Sequence, residues 1–181
     1  MTETVADAIL RILTSQGVRY AVGIPGVHNL AFWKSEIAGT PQIINVRHEQ
    51  SAVYAADGVA RATGGIGVAL TTTGPGAANT LGAFGEASIS RSPLLVISSE
   101  APIANRSKGI YRGYLHEMTD QASLFAPLAK VSESGASLAK SASTAKEAID
   151  FLKEMLKKPC RQFTINRGNT IFFDFYKSWF F

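Results

Sequence analysis

The stretch QIINVRHEQSAVYAADGVARATGGIGVALTT, residues 42–72, decides the fold. It opens on an apolar run ending at Val46, turns polar at Arg47-His48-Glu49, and closes on GVALTT, which is apolar until its threonines. Between them, residues 50–63 carry small apolar side chains at helical spacing and stop at Gly64-Gly65. A strand that is apolar throughout is expected in a parallel sheet covered on both faces. Strand, helix and strand in this order predict a βαβ unit. The unit places an ionisable carboxylate, Glu49, at the seam between strand and helix. An acid in the first turn complements the helix dipole, so position alone leaves open whether Glu49 is structural or chemical.

The same alternation continues outward. Thr4, with Asp7 three positions on, predicts a capped helix whose Val5, Ala8, Ile9, Ile12 and Leu13 recur at helical spacing until Gly17. VRYAVGI (18–24) reads as a strand ending in the turn GIPG (23–26), and NLAFWKSEI (29–37) as a short helix. TGPGAAN (73–79) reads as a loop, TLGAFGEASIS (80–90) as a helix and PLLVISS (93–99) as a fourth buried strand. Residues 101–121 read as a long surface loop, APLAKV (126–131) as one more strand, and residues 141–158 as a final amphipathic helix with Ala145, Ile149, Leu152 and Leu156 inward. The predicted fold is α/β, doubly wound: a mainly parallel sheet flanked by helices on both faces. GIPG, RHEQ and TGPGAAN each follow a strand, so they should gather at the carboxyl edge of the sheet, where sites of such folds lie.

Bulk properties exclude several classes. A chain of 181 residues, 46% hydrophobic and 18% charged, fits one globular domain of ordinary size. Its net charge of +4 is mild and lacks a basic stripe, so no nucleic-acid partner is expected. One cysteine, Cys160, excludes an internal disulfide framework and fits a reducing compartment. The N-terminus has acids and an amphipathic pattern instead of a secretory signal, and no run of about 18 apolar residues exists, so a cytoplasmic protein without membrane partners is expected. Nothing in the spacing of His28, His48, His116 and Cys160 suggests a metal site.

Taken singly, the motifs are ambiguous. Glycines flanking a proline after a strand let a backbone approach a flat or anionic ligand; they also make an ordinary tight turn with Asn79 or Thr80 capping the next helix. No lysine follows as in a Walker loop, and the spacing is not the dinucleotide fingerprint. The set is more specific than its members. GIPG, then RHEQSAVYAADGVAR, then TGPGAAN, then a strand led by Ser92-Pro93, in that order, resembles the N-terminal pyrimidine-binding (Pyr) domain of thiamine-diphosphate-dependent enzymes. It is most similar to the acetolactate synthase, benzoylformate decarboxylase and oxalyl-CoA decarboxylase branch, over residues 1–158.

The resemblance implies thiamine diphosphate as cofactor and a 2-keto acid as substrate. It implies that Glu49 is the catalytic carboxylate, hydrogen-bonding a ring nitrogen of the cofactor's aminopyrimidine and favouring its imino tautomer, while the cofactor carries the decarboxylation chemistry. Ala52, Val53 and Ala56 are expected to wall that carboxyl off from water, which favours its protonated form. Pro25 and Gly26 would approach the pyrimidine, and Gly74, Pro75, Gly76 and Asn79 would shape the neighbouring pocket. His28 and His116 are substrate-side candidates; His116 falls near where synthases of this branch carry a glutamine, which makes acetolactate formation itself less expected. His48 is a packing or loop residue, or an electrostatic neighbour of Glu49.

Full-length members hold the diphosphate through magnesium on a Gly-Asp-Gly domain. Here Asp57-Gly58 follows alanine, so Mg2+ is expected only through a partner domain or chain, in a homodimer or hetero-oligomer. Residues 159–181 form an atypical aromatic tail where the family has its last strand, and QFTINR (162–167) is a candidate edge strand. A truncated chain, inactive alone, and a dedicated small subunit both fit. A different reading is a non-catalytic interaction or regulatory module that pairs with a full-length relative.

Overall fold

Thr4 starts the first helix. Its hydroxyl accepts the Asp7 N–H at 3.1 Å and the Asp7 carboxylate accepts the Thr4 N–H at 2.9 Å, closing a capping box ahead of α1 (Val5–Ser15). Ala6, Ile9, Leu10 and Leu13 form its buried stripe. Asp7 also accepts a 2.6 Å bond from the Ser35 hydroxyl, which ties α1 to the chain beyond the first strand. Burial pushes the Asp7 carboxyl up, but the bonds from Ser35 and Thr4 and the charge of Arg11 outweigh it and hold the group below its ordinary value of 3.8. A depressed carboxylate contributes stability that is present above the unfolded-state value and lost as the pH falls through the folded one. Thr4→Ala is therefore expected to cost about 1 kcal/mol at neutral pH. Asp7→Asn should flatten the loss of thermal stability expected on acidifying below 3.8. Thermal melts from neutral pH down through that range check both.

The structure, a computed structural model, describes residues 4–100 and 113–128, the helical residues Lys146, Ile149, Asp150, Leu152 and Lys153, and the backbone of strands at residues 139–142 and 169–173. Among the described residues, six strands form one sheet: β1 (Tyr20–Gly23), β2 (Gln42–Asn45), β3 (Gly67–Thr71), β4 (Leu94–Ser99), β5 (Ala139–Ala142) and β6 (Asn169–Phe173). Their order is β2-β1-β3-β4-β6-β5, and every pair is parallel. The chain steps from β1 to β2 on one side and returns over β1 to β3 on the other. The carboxyl ends of β1 and β3 thus flank the point where the winding reverses.

The apolar strands bury both faces, as their unbroken hydrophobicity requires. Val68 and Leu70 of β3 and Leu95 and Ile97 of β4 meet α1, Phe32 and Leu152 on one face. Ala69, Leu94 and Val96 point the other way, against Ala52, Val53 and Ala56 of α2 (Glu49–Thr63) and Ala83, Phe84 and Ala87 of α4 (Leu81–Ile89). Alternate residues of one strand therefore serve two cores, and the doubly wound α/β arrangement is seen. Phe84 meets Phe125 edge-on, with ring centroids 5.3 Å apart and an interplanar angle of 89°, a geometry worth about 0.5–1.5 kcal/mol beyond burial. Among the described residues, no helix is long and apolar enough to cross a membrane.

Four local expectations change. Residues 29–37 make only one 3-10 turn, Leu30–Phe32. TGPGAAN is not wholly loop: Pro75–Ala78 form a single helical turn, α3. APLAKV is no strand over its described part, since Ala126–Leu128 lie in a turn, and β5 falls instead at Ala139–Ala142. The end of the expected surface loop is not on the surface, because Glu117 and Gln121 are buried. The residues QFTINR and most of the aromatic tail lie outside the described residues; Asn169–Phe173 supply β6, an internal strand between β4 and β5 rather than an edge.

Candidate functional site

Glu49 is the first residue of α2, which begins where β2 hands over to Arg47-His48. His48 caps the helix: its Nδ1 accepts the Gln50 N–H at 3.1 Å. This gives His48 a structural task and leaves the neighbouring carboxylate available. Glu49 Oε2 accepts a 3.0 Å bond from the Asn79 side-chain amide, across 30 residues of sequence. Oε1 has no hydrogen bond among the described residues. Ala52, Val53 and Ala56 are buried, but they pack into the core beneath α2. Glu49 itself is half-buried, so among the described residues the expected alanine-walled recess does not enclose the carboxyl.

The two glycine-proline turns meet at one threonine. A β-carbon on Gly26 would stand 2.8 Å from Cβ and Oγ1 of Thr72, and one on Gly76 would stand 2.7 Å from its Cγ2. The Gly76 position is also 3.4 Å from Glu49 Oε1. Only residues without side chains allow GIPG, TGPG and the Glu49 carboxylate to close around Thr72 this tightly. Pro25, Pro75 and Asn79 stay exposed above this packing, so the turns present their prolines outward. GIPG is pinned from within. The buried Asn29 accepts the Gly26 N–H at 2.6 Å and donates to the Ile24 carbonyl at 3.0 Å. His28 is half-buried in the turn that follows.

TGPG is pinned by a residue that sequence reading did not single out. Gln121 is fully buried. Its Oε1 accepts the Thr73 hydroxyl at 3.0 Å and the Gly74 N–H at 2.5 Å. Its Nε2 donates to the Ser99 carbonyl at 2.8 Å and to Ser98 Oγ at 3.3 Å. Both lone pairs and both N–H groups of the amide are engaged. Loss of such a residue leaves buried partners unsatisfied, at about 1–3 kcal/mol each. A glutamine 47 residues from its partner gives no local signal; only the fold reveals it.

Gly74 has φ +63°, and a β-carbon there would lie 2.6 Å from the His116 carbonyl oxygen. His116 in turn adopts φ +59°, uncommon for a residue with a side chain. Its Nδ1 is buried and has no hydrogen-bond partner among the described residues. The structure thus brings His116 against the second glycine-proline turn, together with Gly74, Pro75, Gly76, Asn79 and Glu49, while Pro25, Gly26 and His28 belong to the adjoining first turn. Among the described residues, no three His, Cys, Asp or Glu side chains converge as metal ligands.

Comparison with known proteins gives this arrangement a context. Residues 3–124 match the family described as thiamine pyrophosphate enzyme, N-terminal TPP binding domain. The chain is 42% identical over 127 residues to a probable 2-ketoarginine decarboxylase of Pseudomonas aeruginosa, a match covering 70% of this chain and 22% of the relative. It is 41% identical over 125 residues to a 2-hydroxyacyl-CoA lyase 2 of Danio rerio, covering 68% and 19%. A catabolic acetolactate synthase of Raoultella terrigena is 34% identical over 125 residues, covering 69% and 22%. The matches span about a fifth of the length of these relatives. A solved thiamine diphosphate-dependent 4-hydroxybenzoylformate decarboxylase of Rhodococcus jostii shares the fold, with a TM-score of 0.80 over 97% of this chain and 31% of that one, at 18% identity.

Proposed function

Because the chain belongs to the thiamine pyrophosphate enzymes and comprises their N-terminal TPP-binding domain, we propose that it presents Glu49 to the aminopyrimidine of thiamine diphosphate within a 2-keto-acid decarboxylase or carboligase. The observation that carries this reading is the Glu49 carboxylate, with Oε2 tied to Asn79 and Oε1 open beside Gly76. These residues fit a flat nitrogen heterocycle: one carboxyl oxygen is oriented by an amide, the other is available, and two proline turns border it.

When bound, thiamine diphosphate supplies the electron sink for decarboxylation. Glu49 holds a proton at Oε1 for a ring nitrogen, or accepts one from it, which makes its role an acid–base one. Asn79 occupies Oε2 and so fixes which oxygen faces the ligand. Pro25 and Gly26 on one side, and Gly74, Pro75 and Gly76 on the other, would border the ring. His116, with a buried Nδ1 that lacks a partner among the described residues, and His28 in the first turn are the substrate-side residues. The half-exposure of Glu49 supports completion of the site by another domain or chain, which holds the diphosphate and magnesium. That partner is a second copy within a longer homodimer or a separate subunit.

Complementation tests the proposal. The 181-residue polypeptide with thiamine diphosphate, magnesium and pyruvate or 2-ketoarginine should release negligible carbon dioxide. Adding a chain that bears a Gly-Asp-Gly diphosphate-binding domain but lacks its own glutamate should restore release. Robust release by the polypeptide alone would show that it holds the whole site, and no release from the pair would remove the support for a shared one.

A further inference from the structure

We propose that Gln121 is a positioning residue: by fastening Gly74 to the end of β4 it sets the single turn α3 and, through Asn79, the direction of the Glu49 carboxylate. This rests on the reading that Glu49 serves the cofactor. α3 is one turn long, from the cap at Gly74 to the cap at Asn79, and is closed by Ala78 N–H to Gly74 O and Asn79 N–H to Pro75 O, both 2.9 Å. A unit this short transmits a displacement at one end to the other, because no further turns absorb it. At its start stands the Gly74 N–H, held by Gln121; at its end stands the Asn79 amide, held to Glu49. The opposite edge of the pin is rigid too. Ser98 Oγ, which accepts from Gln121, donates to the Thr72 carbonyl at 3.0 Å, so β3 and β4 are cross-linked just before the turn. Gln121 is anchored in turn by its own segment, where Phe125 is fully buried and the Leu128 carbonyl accepts the Ser88 hydroxyl at 2.7 Å. The pin therefore joins three elements at the base of the turn that carries Asn79, and a shift of about 1 Å at a reacting group can cost about a hundredfold in rate.

Gln121→Glu separates positioning from bulk stability. The introduced carboxylate keeps the size of the side chain and still accepts from Thr73 and Gly74. It turns a second acceptor toward the Ser99 carbonyl, where the amide donated; protonation restores that donor. The experiment follows the Asn79 side-chain amide signals of the full chain by heteronuclear NMR, together with binding of 4-amino-2-methylpyrimidine as a probe. At about pH 8 the Asn79 signals should move and the probe should bind about tenfold more weakly than to the unchanged chain. As the pH is lowered to about 5, the variant-to-parent ratio should return toward one, since a buried carboxyl takes up its proton readily. Thr73→Val removes a single bond to the same Oε1 and should move the Asn79 signals in the same direction by less; it carries the test should the charged variant not fold. Asn79 signals that stay unmoved at both pH values in the folded variants, while the melting temperature falls, would overturn the proposal and leave Gln121 a stability residue. The underlying functional reading fails separately: it falls if Glu49→Gln leaves probe affinity unchanged, whatever Asn79 reports.

Discussion

Under the proposed function, Glu49→Gln should lower keto-acid turnover by the completed site about 10²–10⁴-fold, the range typical of a lost proton-transfer group. The amide keeps the size of the side chain and retains an oxygen for the Asn79 N–H, which now lies 3.0 Å from Oε2. What it cannot do is hold and release a proton beside Gly76. Glu49 is half-buried, and it is a surface-facing residue at a helix start capped by its neighbour His48. Thermal stability should therefore stay within about 0.5 kcal/mol of the parent. Steady-state carbon dioxide release, with melts on the same preparations, measures both quantities. Unchanged turnover in an assembly containing this chain would favour the other reading, a module that pairs with a larger relative without contributing chemistry.

The second large effect belongs to Gly74→Ala. Here two costs add. Its φ of +63° is a conformation that side-chain-bearing residues avoid, and the new β-carbon would press on the His116 carbonyl at 2.6 Å. Strain of this kind is worth about 1–3 kcal/mol and overpacking about 1–3 kcal/mol. A combined loss on the order of 3 kcal/mol lowers the melting temperature of a domain this size by roughly 6–12 °C. The same change should displace the segment carrying His116, and on the proposed function, with His116 on the substrate side, the substrate range should shift along with the stability. A Gly74→Ala variant that melts like the parent would mean that the left-handed turn is not needed.

How much of this was legible in the residues follows from where each signal resides. The βαβ core was readable because its information is local: unbroken apolar strands, alanines at helical spacing, Gly64 at the helix stop. The carboxyl-edge clustering of GIPG, RHEQ and TGPG followed from topology alone. The short helix at residues 29–37 failed for an identifiable reason. Asn29, which would have capped it, uses its side chain on Gly26 and Ile24 and makes no cap bond. APLAKV resembled a strand by composition, yet Phe125 seats against Phe84 and the Leu128 carbonyl takes the Ser88 hydroxyl, and those contacts bend the chain. Gln121 was invisible because nothing near position 121 shows that its amide meets Gly74 and Ser99. Glu49 was singled out through the order of motifs, and its role at the cofactor is the proposal made above. Its partner Asn79 was named as a pocket residue, and the bond that joins them is a product of the fold.

The strand order carries a consequence for biogenesis. β6 sits between β4 and β5, so Leu95 finds its partner only when Asn169 exists. Until the ribosome has delivered residues 169–173, the outer edge of β4 exposes an unpaired row of amides and carbonyls, and β5 has no neighbour in the sheet to join. Nascent chains of this protein should thus pass through an interval in which a nearly finished sheet can pair with another copy. Chaperone demand would be concentrated in that interval.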